Sequence, residues 1–144
     1  MKIDGLHTVP VSPERAYEAL QDPAILAKCM PGCDHLERIG PDEYEMKMKV
    51  AIASVQGLFG GKIRITDQKP NESFRLLVDG SGKVGFLKGD GLLTLVPSDR
   101  ATEVRYQGDV QVGGMIAGVG QRLIDTTAKF IIRRFFESLA KEVQ

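Results

Sequence analysis

The chain has no tryptophan, two histidines and two cysteines, and each scarcity excludes something. Two thiols, Cys29 and Cys33, are too few for the disulfide framework of a small secreted domain and suit a reducing compartment. With His35 close by and His7 remote in sequence, they leave a zinc site short of a ligand. The C-x3-C spacing is also not that of a zinc knuckle, so no metal is expected. Charge of one sign is missing too: nineteen Lys and Arg balance nineteen Asp and Glu. A nucleic-acid binder needs a basic footprint to displace counterions from phosphates, and that class is set aside. No apolar run is long enough to span a bilayer, and Met1-Lys2-Ile3-Asp4-Gly5 lacks the apolar region of a secretory signal. A cytoplasmic location is the expectation. There is no nucleophile elbow or triad motif. Gly57-Leu58-Phe59-Gly60-Gly61 and Gly80-Ser81-Gly82 lack both the lysine–serine sequel of a P-loop and the setting of a dinucleotide fold. They read as turns and bulges, and no cofactor is expected.

What is present is the material of one soluble domain, residues 1–144, with 42% apolar and 26% charged residues. Lys2 to Val9 reads as a strand ended by Pro10. Ser12 as N-cap with Pro13 behind it opens a helix to about Leu20, and Asp22-Pro23 opens a second to about Cys29, stopped by Pro31-Gly32. Period-two alternation follows in Tyr44–Ile52, Gly61–Thr66, Phe74–Asp79, Phe86–Val96 and Thr102–Val112, each with one apolar and one polar face. Turns at Gly40-Pro41-Asp42, Lys69-Pro70-Asn71 and Pro97-Ser98-Asp99 make this an antiparallel meander. From Met115 the period turns helical, with Ile116, Val119, Leu123, Thr127, Phe130 and Ile131 on one stripe. Later the stripe rotates to Ile132, Phe135, Phe136, Leu139 and Val143. Roughly 27 residues of helix would be about 40 Å long.

One strand, two short helices, about six strands and one long helix make an α+β chain. With one helix to cover it, the sheet must curl around that helix to bury its apolar face. Glycines at Gly61, Gly80, Gly82, Gly89, Gly91 and Gly108 fall on the inward side, where each either permits bending or leaves volume unfilled. An apolar cavity between sheet and helix is therefore expected. Its inward candidates are Met46, Met48, Phe59, Leu76, Val78, Leu87, Leu93, Tyr106, Met115, Val119, Leu123 and Phe130, with the surroundings of Met30, Phe59 and Phe86 as the mouth. Methionine suits an adaptable wall, and Tyr106 offers a hydroxyl for a ligand's polar head. Alternation also turns His7 inward, as either a ligand partner, a general base or an inert imidazole near the strand's end. Phe135, Phe136 and Leu139 are expected to pack on the outer strands or the short helices. The alternative is a patch for a partner, a second copy or a membrane.

Three segments carry a family resemblance: Cys29-Met30-Pro31-Gly32-Cys33, the run from Gly113 to Arg122 in the pattern G-G-x-x-A-x-x-G-x-R, and Phe135-Phe136-Glu137-Ser138-Leu139. With the opening Met1 to Gly5 they resemble the CoxG family of carbon monoxide dehydrogenase subunits, in the START and Bet v 1-like superfamily. The resemblance implies a helix-grip fold: a seven-stranded curved antiparallel sheet around the C-terminal helix, with two short helices after the first strand. It further implies a non-enzymatic protein that binds a lipophilic molecule such as a quinone beside a molybdenum-containing oxidoreductase. An alternative role is recruitment of that enzyme to the inner face of the membrane, by transient contact, with a homodimer as a further use of an exposed patch. Some helix-grip relatives are small enzymes. Many relatives carry a C-terminal anchoring tail, and the residues up to Gln144 contain no such segment.

Overall fold

Proline and short polar side chains set the first turns. In the computed structural model, which describes residues 1–144, strand β1 (Lys2–Val9) is followed by α1 (Pro13–Ala19) and α2 (Pro23–Cys29). The Ser12 hydroxyl accepts from Arg15 N at 3.3 Å, and the Asp22 carboxylate accepts from Ala24 N at 2.9 Å. Each satisfies one of the free amides that open a helix, and a proline occupies the first helical turn of both, where no amide is needed. Six strands follow: β2 (Cys33–Gly40), β3 (Glu43–Ile52), β4 (Val55–Lys69), β5 (Ser73–Gly82), β6 (Gly85–Ser98) and β7 (Ala101–Gly113). A short 3-10 turn (Met115–Val119) leads into α3 (Gln121–Glu142).

All seven strands form one antiparallel sheet in the order β1-β7-β6-β5-β4-β3-β2. Alternation places side chains as the period requires: in β3, Tyr44, Met46 and Ile52 are buried while Lys47, Lys49 and Ala51 are exposed. The sheet curls around α3, the helix-grip arrangement. Three features depart from the expectation. Strand β2 has no clear alternation, with a register shift between Cys33 and His35 and another between Arg38 and Gly40. Residues 57–61 are the interior of β4, not a turn, and pair continuously with β3 from Gly57↔Val50 to Gly61↔Met46. The long helix begins at Gln121 rather than Met115, because Gly120 has φ 99° and ψ 149°, a backbone that interrupts any helix. Its 22 residues span about 33 Å.

Apolar packing is concentrated at the two ends of the grip. At one end α1, α2 and the last turns of α3 bury Val9, Ala19, Leu20, Tyr44, Phe74, Val104, Phe136 and Leu139 together. Two hydrogen bonds tie the chain between β1 and α2 to the sheet there: Tyr44 donates to Gln21 O at 2.8 Å, and Thr102 donates to Val11 O at 2.7 Å. At the other end Ile52, Phe59, Val84 and Ile116 form a smaller cluster that the 3-10 turn closes. Between the two, inward side chains such as Leu76, Val78, Leu87 and Leu93 stay half-buried. Leu76 and Leu93 pack against the main cluster on one side, and all four line an opening.

Candidate functional site

The opening is a cavity of about 380 Å³ lined by 38 residues, 30 of them hydrophobic. Its outer wall is the concave face of β3 to β7. Its inner wall is one face of α3, with Ile124, Thr127, Ala128, Ile131 and Ile132, and Phe135 and Phe136 at one end. A volume of this size falls within the range of small-molecule sites, and the near absence of polar groups selects an apolar occupant.

Met30, Met46, Met48, Phe59, Leu76, Val78, Leu87, Leu93 and Tyr106 all lie on this lining. Met30 caps α2, with its backbone N–H donating to Leu26 O, and three methionines thus reach the cavity from α2 and β3. Phe59 is there too, but it is 4% exposed in the interior of β4 and sits in the smaller cluster, so it is not part of a mouth loop. The remaining candidates are placed elsewhere. Met115, Leu123 and Phe130 are 63%, 43% and 49% exposed and point away from the cavity. Val119 packs against the Ile52–Phe59–Val84–Ile116 cluster, and Phe86 is exposed with its ring over the backbone of Gly113. The cause on the helix is a phase error. A stripe counted continuously from Ile116 predicts Leu123 and Phe130, but the break at Gly120 resets the rotation, and the inward stripe starts at Ile124. Counting three- and four-residue steps back from Phe135 reaches Ile131, which the continuous stripe shared, and then Ala128 and Ile124, which it missed.

His7 faces inward from β1 but does not line the cavity. Its ring stacks on Phe136 at 4.5 Å and lies parallel to Tyr106 at 6.0 Å, so three flat rings close the space between β1 and α3. Burial lowers the imidazole pKa below its ordinary value, and Glu137 opposes that shift. A neutral ring packed face-on against phenylalanine is wall material, poorly set for proton transfer to a cavity ligand. The Tyr106 hydroxyl lies over the backbone of Gly5, its neighbour across the strands. Burial raises its pKa, Asp4 adds to the rise and Lys129 opposes it. Its ring edge therefore lines the cavity while its oxygen reaches toward the β1 edge. Cys33 also lines the cavity, with its thiol toward His35 O at 3.6 Å, and burial raises its pKa as it does that of Cys29. Such protonated thiols are poor nucleophiles. No group of three or more metal-binding side chains comes together, and no helix is long and apolar enough to cross a membrane.

Comparison with known proteins agrees with this architecture. A conserved protein from Geobacillus kaustophilus shares 37% identity with a TM-score of 0.94, over 99% of this chain and 95% of its own. A START superfamily protein from Mycobacterium smegmatis superimposes with a TM-score of 0.78 at 14% identity, over 99% of this chain and 96% of its own. The Zhui aromatase/cyclase from Streptomyces sp. R1128 does so with a TM-score of 0.69 at 10% identity, over 99% and 93%. At such low identities the last two share the fold alone. No curated protein matches the chain. The family model for CoxG, a subunit of carbon monoxide dehydrogenase, matches residues 5–144, nearly the full length, and the chain belongs to that family.

Proposed function

We propose that this protein holds a lipophilic small molecule in the cavity between sheet and α3, as a non-enzymatic accessory of a carbon monoxide dehydrogenase-type molybdenum oxidoreductase. Membership of the CoxG family and the START-like fold suggest a ligand-binding accessory protein. The observation that carries the reading is the cavity itself, about 380 Å³ with 30 hydrophobic residues among 38. An empty apolar space forfeits contact energy that a close-packed core would retain, so a fold that keeps one open gains most when something apolar fills it. A quinone is the first class to test, since it joins an apolar body to the electron chemistry of the family's enzyme. Mass spectrometry of the denatured protein should release an apolar ligand. Adding a short-tailed naphthoquinone at about a hundred times its dissociation constant should stabilise the fold by about 2.7 kcal/mol, read as a rise in Tm. Protein with no ligand and no shift with any quinone or fatty acid rejects the proposal.

A second reading has its own support. Met115, Leu123, Phe130 and Phe86 are large apolar side chains left exposed, and Arg133 lies 5.7 Å over the Phe130 ring. Such a surface fits docking to a partner enzyme or to a membrane. The alternative patch at Phe135, Phe136 and Leu139 is not available, because all three are in the main core. Leu123→Ser with Phe130→Ser should abolish capture of the oxidoreductase while leaving ligand binding intact. Unchanged capture removes this reading.

A further inference from the structure

Several of the inward glycines are explained by the sheet, and others are not. At Gly61 and Gly108 a Cβ would collide with the backbone of the neighbouring strand, at Asp79 O and Asp90 O respectively, so close strand approach requires glycine. At Gly80, Gly89 and Gly91 no such reason exists. A Cβ there would meet nothing nearer than the Met46 methyl at 3.5 Å, Val78 Cβ at 3.7 Å and Gln107 O at 3.6 Å, all ordinary contacts. None of the three has a positive φ. All three line the cavity, from adjacent strands β5 and β6, and their neighbours across the strands are Leu87, Val78 and Leu76. A side chain would fit at each place; at Gly89 and Gly91 its absence bares the backbone, while at Gly80 the Met46 methyl covers it.

We infer that the wall bared at Gly89 and Gly91 receives a flat ring of the ligand, which makes these glycines determinants of ligand shape. The inference rests on the ligand-binding reading above and adds the ligand's geometry to it. Within a sheet the N–H and C=O groups are spent in the plane of the hydrogen bonds, so what faces the cavity is the flat side of peptide groups and Cα–H. That surface is rigid and free of projecting groups, and it is bordered by branched side chains. A planar ring meets it over its whole face, whereas a flexible chain gains nothing from it that the rest of the lining does not offer. Met46, whose methyl reaches Gly80, supplies a soft sulfur-bearing edge suited to an aromatic system.

The test compares a ring with a chain in the full-length protein. Binding of lauric acid, a saturated linear fatty acid, and of a short-tailed naphthoquinone is measured by titration calorimetry. Gly89→Ala and Gly89→Val fill the bared wall in two steps, and Gly91→Val repeats the change one residue pair along β6. The expected result is a graded loss of naphthoquinone affinity, tenfold or more for Gly89→Val, and at least threefold greater than the loss of lauric acid affinity in the same variant. Thermal denaturation of each variant without ligand is the control that it remains folded. Equal losses for both ligands, or no loss for either, overturn the inference. Wild-type protein that binds lauric acid but no ring compound also overturns it while leaving the ligand-binding reading in place. Wild-type protein that binds neither overturns both.

Discussion

Tyr106 and Gly5 form a pair that neither residue type announces. They are register partners, and the Tyr106 ring crosses the edge strand only because Gly5 has no Cβ to block its hydroxyl. Gly5→Ala should therefore cost about 1–3 kcal/mol in chemical denaturation, the usual range for forced overpacking. In a Tyr106→Ala background the same change should be nearly free, and equal costs in both backgrounds dismiss the pairing. His7 carries a pH dependence. Its folded pKa lies below the ordinary 6.5, so the unfolded chain binds the proton more readily than the native state. Its stability contribution is complete above the unfolded value and is lost as pH falls through the lower folded one. Between about pH 7.5 and pH 5 the wild type should lose more stability than His7→Phe, whose ring can keep the stack on Phe136. Parallel losses in the two proteins exclude His7 as the cause. The inward direction of His7 was legible from alternation along β1. Its stacking partner was not, because Phe136 is remote in sequence and arrives only when α3 docks.

Elements were read well where a local rule governs them. Ser12-Pro13 and Asp22-Pro23 start helices by capping chemistry that needs no tertiary context, and the alternating strands stand where their period put them. Strand β2 was not legible from alternation, since its two register shifts break the period, and only the turn at Gly40-Pro41-Asp42 and the strand count implied it. The start of α3 was misjudged for a physical reason. Helical periodicity on both sides of Gly118 and Gly120 looks continuous, but the backbone at Gly120 sits in a region that essentially only glycine occupies. Gly120→Ala should cost about 1–3 kcal/mol by thermal denaturation, with a disturbed 3-10 turn as the structural trace. Wild-type stability in that variant shows instead that the break is not required.

Across the whole molecule the two packed ends and the open middle should respond differently to the same loss of side chain. Leu139 is fully buried in the main core, so Leu139→Ala should cost about 2–5 kcal/mol, since it removes contacts and leaves a new void. Ile131 faces a cavity that already exists, so Ile131→Ala adds little further penalty for a void and should cost clearly less in the same assay. Similar costs show the middle to be as tightly packed as the ends.

Composition, capping residues and period-two alternation were enough to give an α+β chain and an inward apolar face carrying Met46, Met48, Leu76, Val78, Leu87, Leu93 and Tyr106. Each depends on interactions within a few residues or on the two-fold repeat of a strand. The tertiary structure alone decided the rest. It set the helix phase, which a single glycine backbone resets, and it distinguished glycines that the sheet requires from glycines that leave a wall bare. It also made His7 part of an aromatic seal. All three depend on which strands and helix faces meet, and those meetings join residues too far apart in the chain for any local pattern to record.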